Sequence, residues 1–209
     1  FGFLSKRYTA PQSLLTGLVE EGCEVFSHGY LHDGTLPFLD HDELMFRLRH
    51  FFEVYPAMVG HTRGFRAGQL VRGEPMYKAV AEIFEYDLTP PNVEMGGPHG
   101  WRTGCASTHP FTRPSGLVHV PVTVPQDYFV SYIEGLSEDR MVDAWIDATE
   151  TVWSVGGIAV QIVHPDNVRR RPRILKAYRR YLDALARRGA QVILPADAAN
   201  GEPARPGAR

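Results

Sequence analysis

Short apolar segments alternate with amphipathic helical patterns along nearly the whole chain. The apolar segments are typical of β-strands: FGFLS (1–5), CEVFS (23–27), RGFRA (63–67), IFEYDL (83–88), LVHVPVTV (117–124), GIAVQIV (157–163) and QVIL (191–194). Strands that are joined through helices need crossover connections, and such connections make neighbouring strands parallel. The alternation therefore predicts an α/β protein with a mostly parallel sheet.

Apolar residues at helical spacing predict the helices between these strands. Two helices are expected after capping-box patterns at 9–12 and 40–43, and others over 74–82, 141–153 and 174–185. The large aromatic side chains on these helical stripes are expected in the core: Phe51, Phe52, Trp145 and Trp153. Residues 89–116 show no sustained period and are rich in Pro, Gly, Thr and His, so they predict a long functional loop.

The chain of 209 residues suits one domain, which we expect over residues 1–198. Residues 199–209 are rich in Gly, Pro, Ala and Arg and predict a disordered tail. The net charge of −2 gives no basic excess for nucleic acid, and no apolar run approaches the roughly 20 residues that span a bilayer. Neither the compartment nor the oligomeric state follows from the sequence.

Residues whose side chains can bind a metal ion or act in catalysis follow several of the predicted strands. His28 and His32 lie in SHGYLHD directly after CEVFS, Arg66 ends a short strand, and His164 closes GIAVQIV. Because the carboxyl ends of parallel strands meet at one edge of a sheet, we expect these side chains to converge. Two imidazoles four residues apart can bind one transition-metal ion, and Asp33 is the local candidate for a third ligand. Two surface or structural histidines are the alternative, because this spacing alone is a weak signal.

The order and spacing of the segments resemble those of the polysaccharide deacetylase family, the NodB-homology carbohydrate esterases. The matching motifs, between Phe1 and about Ala198, are FGFLS, LVEEGCEVFSHGYLH, GFRAG, EYDLT, VPVTVPQDYF, GIAVQIVHP and LARRGAQVILPADAA. The resemblance implies a deformed (β/α) barrel and a metal-dependent hydrolase.

The resemblance also implies a role for individual residues. His28 and His32 would bind one divalent ion, with Zn²⁺ expected and Co²⁺, Ni²⁺ or Mn²⁺ as alternatives. Arg66 would orient a catalytic carboxylate, Asp127 would support Arg66, and His164 would protonate the leaving amine.

The chain departs from the family pattern in three respects. Gly68 stands where many members have Pro, and Tyr128 follows Asp127 where Trp is usual. The family's first motif, which carries a catalytic-base Asp and a metal-ligand Asp, has no match. Because FGFLS resembles the family's second strand, we expect that motif upstream of Phe1. Its natural loss would instead leave an inactive carbohydrate-binding pseudoenzyme.

The expected reaction is hydrolysis of an acyl amide on the nitrogen of an amino sugar or glycan by metal-activated water. Tyr30, Trp101 and Tyr128 are expected to contact the substrate, with the loop around Trp101 as its selector. The alternative for Trp101 and Phe111 is that they only pin this loop to the scaffold. The same scaffold would also suit a cyclic amide or imide, as in an allantoinase, or an ester.

Overall fold

The computed structural model describes residues 1–92 and 104–201, which form two compact units. We call the first the sheet unit; it contains Phe1–Pro90, Pro110–Val120 and residues 194–201. We call the second the helical unit; it contains residues 91–92, 104–109 and Pro121–Ile193.

The sheet unit contains a six-stranded sheet with the strand order β1-β2-β3-β4-β6-β5. The strands are β1 (Gly2–Phe3), β2 (Phe26–Ser27), β3 (Gly64–Phe65), β4 (Tyr86–Asp87), β5 (Phe111–Thr112) and β6 (Val118–His119). All neighbours are parallel except β5, which is antiparallel to β6. The predicted α/β class with a mostly parallel sheet is therefore confirmed. No strand pairing in the described part of the chain joins β1 to β5, so closure into a barrel stays a prediction.

Both units contain helices. The sheet unit has α1 (Gln12–Glu20), α2 (His41–Val54), α3 (Glu74–Ala81) and α7 (Pro195–Asn200), and the helical unit has α4 (Glu138–Ser154), α5 (Pro165–Arg170) and α6 (Pro172–Arg187). Short helices α5 and α7 were not predicted, whereas the five longer helices were. Within residues 1–92 and 104–201, no helix has both the length and the apolar character needed to cross a membrane.

The two predicted capping boxes have different outcomes. Asp40 caps α2, and its Oδ1 accepts a hydrogen bond of 2.9 Å from the Glu43 N–H. The box at residues 9–12 is wrong, because α1 begins only at Gln12 and has Pro11 at its N-cap. A tertiary contact keeps Ala10 out of the helix: its N–H donates to the Tyr55 hydroxyl at 3.1 Å.

The aromatic residues of the predicted helical stripes are buried to different degrees. Phe51 in the sheet unit and Trp145 in the helical unit are fully buried, as predicted. The Trp145 indole N–H donates to the Pro125 carbonyl at 2.9 Å, so its polar atom is satisfied inside the core. Phe52 and Trp153 are only partly buried, so the core prediction is less accurate for them.

Two of the predicted strands, 157–163 and 191–194, are not strands in the structure. In the first, the hydroxyl of Thr123 replaces main-chain groups in the ladder. It accepts from the Val160 N–H at 2.8 Å and donates to the Ile158 carbonyl at 2.7 Å. A side chain that occupies these bonds interrupts the regular main-chain pairing. In the second segment Val192 is 61% exposed, so it lacks the burial that favours a sheet position.

The predicted long loop at residues 89–116 is partly regular. Residues 93–103 lie outside the described part of the chain. Strand β5 falls within the predicted loop, and a turn closed by the Gly116 N–H, which donates to Arg113 O at 2.9 Å, connects β5 to β6. Gly116 has φ of +85°, a conformation that favours glycine.

A matched pair of glycine substitutions tests how β3 packs against β4. A methyl group at Gly64 would overlap the ring of Tyr86, whereas one at Gly17 in α1 meets no atom within 4 Å. We expect Gly64→Ala to lower the free energy of unfolding by about 2 kcal/mol or more through overpacking. Gly17→Ala should raise it by roughly 0.5–1 kcal/mol through helix propensity. Urea unfolding measures both; equal effects of the two changes would contradict the packing described.

Candidate functional site

The orientation of His28 is fixed by the strand next to its own. His28 directly follows β2, and Arg66 directly follows the parallel neighbour β3. The Nδ1 atom of His28 lies 2.8 Å from the main-chain oxygen of Arg66. A carbonyl oxygen only accepts, so Nδ1 carries the ring proton and the lone pair lies on Nε2. Metal-ligating histidines commonly have this arrangement, with one ring nitrogen held by a carbonyl and the other directed to the ion.

His32 is held beside His28 by the turn that follows β3. The two ring centroids are 5.3 Å apart, with 60° between the ring planes. The Gln69 N–H donates to Nε2 of His32 at 3.3 Å, and the Gln69 side-chain amide donates to the His32 carbonyl at 3.0 Å. A Cβ atom at Gly68 would lie 3.2 Å from the His32 Cα. This contact gives a physical reason for glycine where the resemblance expects proline.

The separation of the two histidine rings is compatible with two ligands of one ion. Metal–nitrogen bonds of about 2.0–2.1 Å in tetrahedral geometry place two imidazole centres roughly 5 Å apart, close to the separation found here. The described residues contain no group of three or more His, Cys, Asp or Glu that could hold a metal ion. Asp33, the local candidate for a third ligand, accepts from the N–H and hydroxyl of Thr35 at 3.1 and 2.8 Å. The metal therefore stays a prediction.

Arg66 also contributes its side chain to the same sheet edge. Its Nε donates to the Leu88 carbonyl at 3.0 Å, and its guanidinium carbon lies 5.1 Å from the centre of the Phe26 ring. Burial lowers the pKa of Arg66 to about 10, and the nearby Asp87 carboxylate opposes that shift. The guanidinium thus stays positively charged at neutral pH. Its expected role of orienting a catalytic carboxylate stays a prediction.

Asp87 is a buried carboxylate on β4. It is fully buried, and its Oδ1 accepts from both the N–H and the hydroxyl of Thr89. Its Oδ2 lies 3.0 Å from Nδ1 of the buried His119. These contacts hold the Asp87 side chain in the turn that follows β4 and beside His119.

In the helical unit, Asp127 and His164 form a second pair. The buried Asp127 places Oδ1 2.6 Å from Nδ1 of His164, and its Oδ2 accepts from the His164 N–H at 3.1 Å. The Asn167 side-chain amide donates to the same Oδ2 at 3.1 Å. The carboxylate thereby holds the ring by Nδ1 and leaves Nε2 as the ring nitrogen for chemistry. The His164 side chain is 33% exposed, so it is within reach of a ligand.

The contacts of Asp127 bear on its expected role. The hydrogen bonds described for its carboxylate go to His164 and Asn167, and the support of Arg66 stays a prediction. Sequence reasoning missed Asn167. The signal was present in HPDN: an Asn three residues after the candidate histidine, in the first turn of a helix that begins with Pro165.

The residues expected to contact substrate have different surroundings. The Tyr30 ring packs edge-to-face on His50, with centroids 4.9 Å apart, and the Arg47 guanidinium lies 5.3 Å from its centre. Tyr30 therefore packs against α2. Trp101 lies outside the described residues. Phe111 stacks on the ring of buried His119 at 5.2 Å, which corresponds to the alternative that it pins the loop.

Tyr128 is part of an exposed aromatic pair. Its side chain stacks on Tyr132 with centroids 5.3 Å apart and 23° between the planes. The two residues are 46% and 37% exposed. The Arg171 guanidinium, part of the arginine-rich segment 169–173, lies 3.7 Å from the centre of the Tyr132 ring and makes a cation–π contact.

Solved structures provide the comparison that decides the fold. A protein of Mycobacterium smegmatis assigned as a polysaccharide deacetylase aligns at TM-score 0.64 and 25% identity, over 83% of this chain and 60% of its own. A Pseudomonas aeruginosa PAO1 protein with the same assignment aligns at TM-score 0.68 and 16% identity, over 90% of this chain and 62% of its own. The chain has the polysaccharide deacetylase fold.

The same fold covers proteins of different activity. The Puue allantoinase aligns at TM-score 0.67 and 17% identity, over 90% of this chain and 62% of its own. A Bacillus anthracis protein described as a CE4 family pseudoenzyme aligns at TM-score 0.56 and 12% identity, over 91% of this chain and 51% of its own. The chain thus spans less than two thirds of the length of each of these proteins with the deacetylase fold. No protein-family model and no curated protein matches the chain.

The Asp127 cluster can be tested through stability alone. Asp127→Ala removes the acceptor of the His164 and Asn167 donors, and we expect it to lower the free energy of unfolding by about 3 kcal/mol. Asn167→Ala removes a single hydrogen bond and should cost about 1 kcal/mol. In a double-mutant cycle the two changes should be strongly non-additive, because they share that bond. Additive effects in urea unfolding would contradict the network.

Proposed function

We propose that the protein is a metal-dependent hydrolase that removes an acyl group, of acetyl size, from the nitrogen of an amino sugar or glycan. The observation that supports it most is the hydrogen bond from His28 Nδ1 to the Arg66 carbonyl at 2.8 Å. This bond directs the lone pair of a neutral imidazole to Nε2, and a second imidazole lies beside it. The deacetylase fold adds support, since it occurs in proteins assigned to this chemistry.

His28 and His32 would hold the ion, and neutral imidazoles suit Zn²⁺. A bound ion supplies a Lewis acid for the acyl oxygen and activates water at neutral pH. The Arg66 carbonyl keeps His28 in the tautomer that such a ligand needs. The Gln69 N–H and side-chain amide keep His32 beside it.

His164 would donate the proton that the departing amine requires. An amide nitrogen is a poor leaving group unless it is protonated, and histidine has the pKa range for that transfer near neutral pH. The Asp127 carboxylate holds Nδ1, so the transferred proton would come from Nε2. The exposed face of Tyr128, stacked on Tyr132, would suit an apolar face of a sugar ring.

Two other functions have specific support. The likeness of the fold to an allantoinase favours a cyclic amide or imide as the alternative substrate, and an acetyl ester would use the same groups. The likeness to a CE4 pseudoenzyme favours an inactive carbohydrate-binding protein. A panel of N-acetylated glucosamine oligomers, cyclic imides and acetyl esters separates the enzymatic functions. Glycan binding without turnover on this panel, in the presence of zinc, would support the pseudoenzyme.

Zinc binding tests the histidine pair directly. We expect the protein to bind one Zn²⁺ in isothermal titration calorimetry, and His28→Ala to weaken this affinity at least tenfold because it removes a ligand. His61→Ala is the matched control, since His61 is an exposed histidine of the sheet unit that lies outside the pair. Absence of zinc binding by the unmutated protein would contradict the proposed function, and so would equal affinities of the two variants.

Comparing substrates with different leaving groups separates loss of the proton donor from loss of the folded site in His164→Ala. We expect His164→Ala to lower kcat/KM for an N-acetylated amino sugar about 10²–10⁴-fold, the usual contribution of a general acid. The loss should be much smaller for an activated aryl acetate, whose leaving group departs without a proton. Equal losses on amide and ester in steady-state assays would show that His164 is not the proton donor.

A further inference from the structure

The turn that follows β3 contacts both histidines of the candidate metal site. The carbonyl of its first residue, Arg66, accepts a hydrogen bond from His28 Nδ1. Gly68 packs against the His32 backbone, and Gln69 makes two hydrogen bonds to His32. Residues 66–70 thus orient both rings through contacts with different atoms.

The backbone of this turn has an uncommon conformation. Gln69 and Leu70 have φ of +58° and +55°, in the left-handed region that side chains with a Cβ rarely adopt. Such a conformation persists only where the surrounding structure enforces it, and it is concentrated at functional sites. Leu70 is 5% exposed, so its burial anchors the turn. The Ala67 N–H donates to the Thr89 hydroxyl at 2.9 Å and anchors the other end.

The Gln69 side chain is partly buried and makes close contacts. Its Nε2 donates to the His32 carbonyl at 3.0 Å, and its Oε1 would lie 3.1 Å from a Cβ placed on Gly34. Glycine at position 34 therefore leaves the space that this amide occupies. The Gln69 side chain thus contacts the segment that carries His32 at two residues, His32 and Gly34.

We propose that Gln69 is the positioning residue for His32, and that its left-handed backbone serves to bring its N–H and its side-chain amide onto that one histidine. The N–H fixes the ring through Nε2, and the amide fixes the main chain through the carbonyl. The consequence for a metal ion rests on the proposed function.

The two hydrogen bonds differ in a way that suits a metal ligand. The bond to the ring nitrogen, at 3.3 Å, is at the weak end of hydrogen bonding, whereas the bond to the carbonyl is of ordinary length. The N–H and an ion cannot share the Nε2 lone pair, so an ion that binds Nε2 displaces this weak bond, while the stronger bond goes on holding the backbone. Gln69 preorganises the ring without competing strongly for its lone pair.

The test compares Gln69→Ala with Gln12→Ala. Gln12 also donates its side-chain amide to a main-chain carbonyl, that of Val54 at 2.8 Å, and both bonds are partly buried in the sheet unit. The two variants thus lose the same kind of hydrogen bond, so an effect that only Gln69→Ala produces reports on His32. Zn²⁺ alone, measured by calorimetry in the full chain, is the first probe, and ¹⁵N NMR of the histidine rings in metal-free protein is the second.

We expect Gln69→Ala to weaken Zn²⁺ binding about tenfold, the usual effect of removing a group that orients a ligand, and Gln12→Ala to leave it unchanged. In metal-free protein, His32 should carry its proton on Nδ1. Gln69→Ala keeps the N–H of residue 69 but releases the His32 carbonyl, so the ring should leave that N–H and shift towards a mixture of tautomers. An unchanged His32 spectrum in Gln69→Ala would overturn the proposal, as would equal zinc affinities of the two variants. If the unmutated protein binds no zinc, the proposed function fails, and the NMR comparison alone decides whether Gln69 positions His32.

Discussion

The hydrogen bond between His28 Nδ1 and the Arg66 carbonyl is the interaction on which the candidate site depends. It exists because β2 and β3 are parallel neighbours, so that the residues that follow them lie side by side. It sets which nitrogen of His28 carries the proton, and therefore which nitrogen can bind an ion. The sheet thus determines the chemistry of the ring through its register.

His28 and His164 are both oriented through a hydrogen bond at Nδ1, but the acceptors differ. His28 is held at Nδ1 by a neutral carbonyl, and His164 is held at Nδ1 by the carboxylate of Asp127. A neutral acceptor suits a ring that must stay neutral to bind a cation. A carboxylate partner suits a ring that carries and releases a proton. This difference in acceptors matches the roles that we propose for the two histidines.

Much of this arrangement could be predicted from sequence patterns, and the rest depends on tertiary contacts. The strand segments and the histidine spacing placed His28, His32 and Arg66 at one sheet edge, since parallel strands end together. The contacts of Gln69 could not be predicted, because its left-handed backbone is enforced by the packing of Leu70 and not by a glycine. Likewise, the hydroxyl of Thr123 interrupts a segment whose apolar pattern alone indicates a strand.

The most direct measurement is an X-ray structure of the protein grown with Zn²⁺, with data collected at the zinc absorption edge. We predict an anomalous peak about 2.0–2.1 Å from Nε2 of His28, shared with His32, while Nδ1 of His28 keeps its bond to the Arg66 carbonyl. An ion bound through Nδ1 of His28, or zinc bound only away from this pair, would contradict the proposed site.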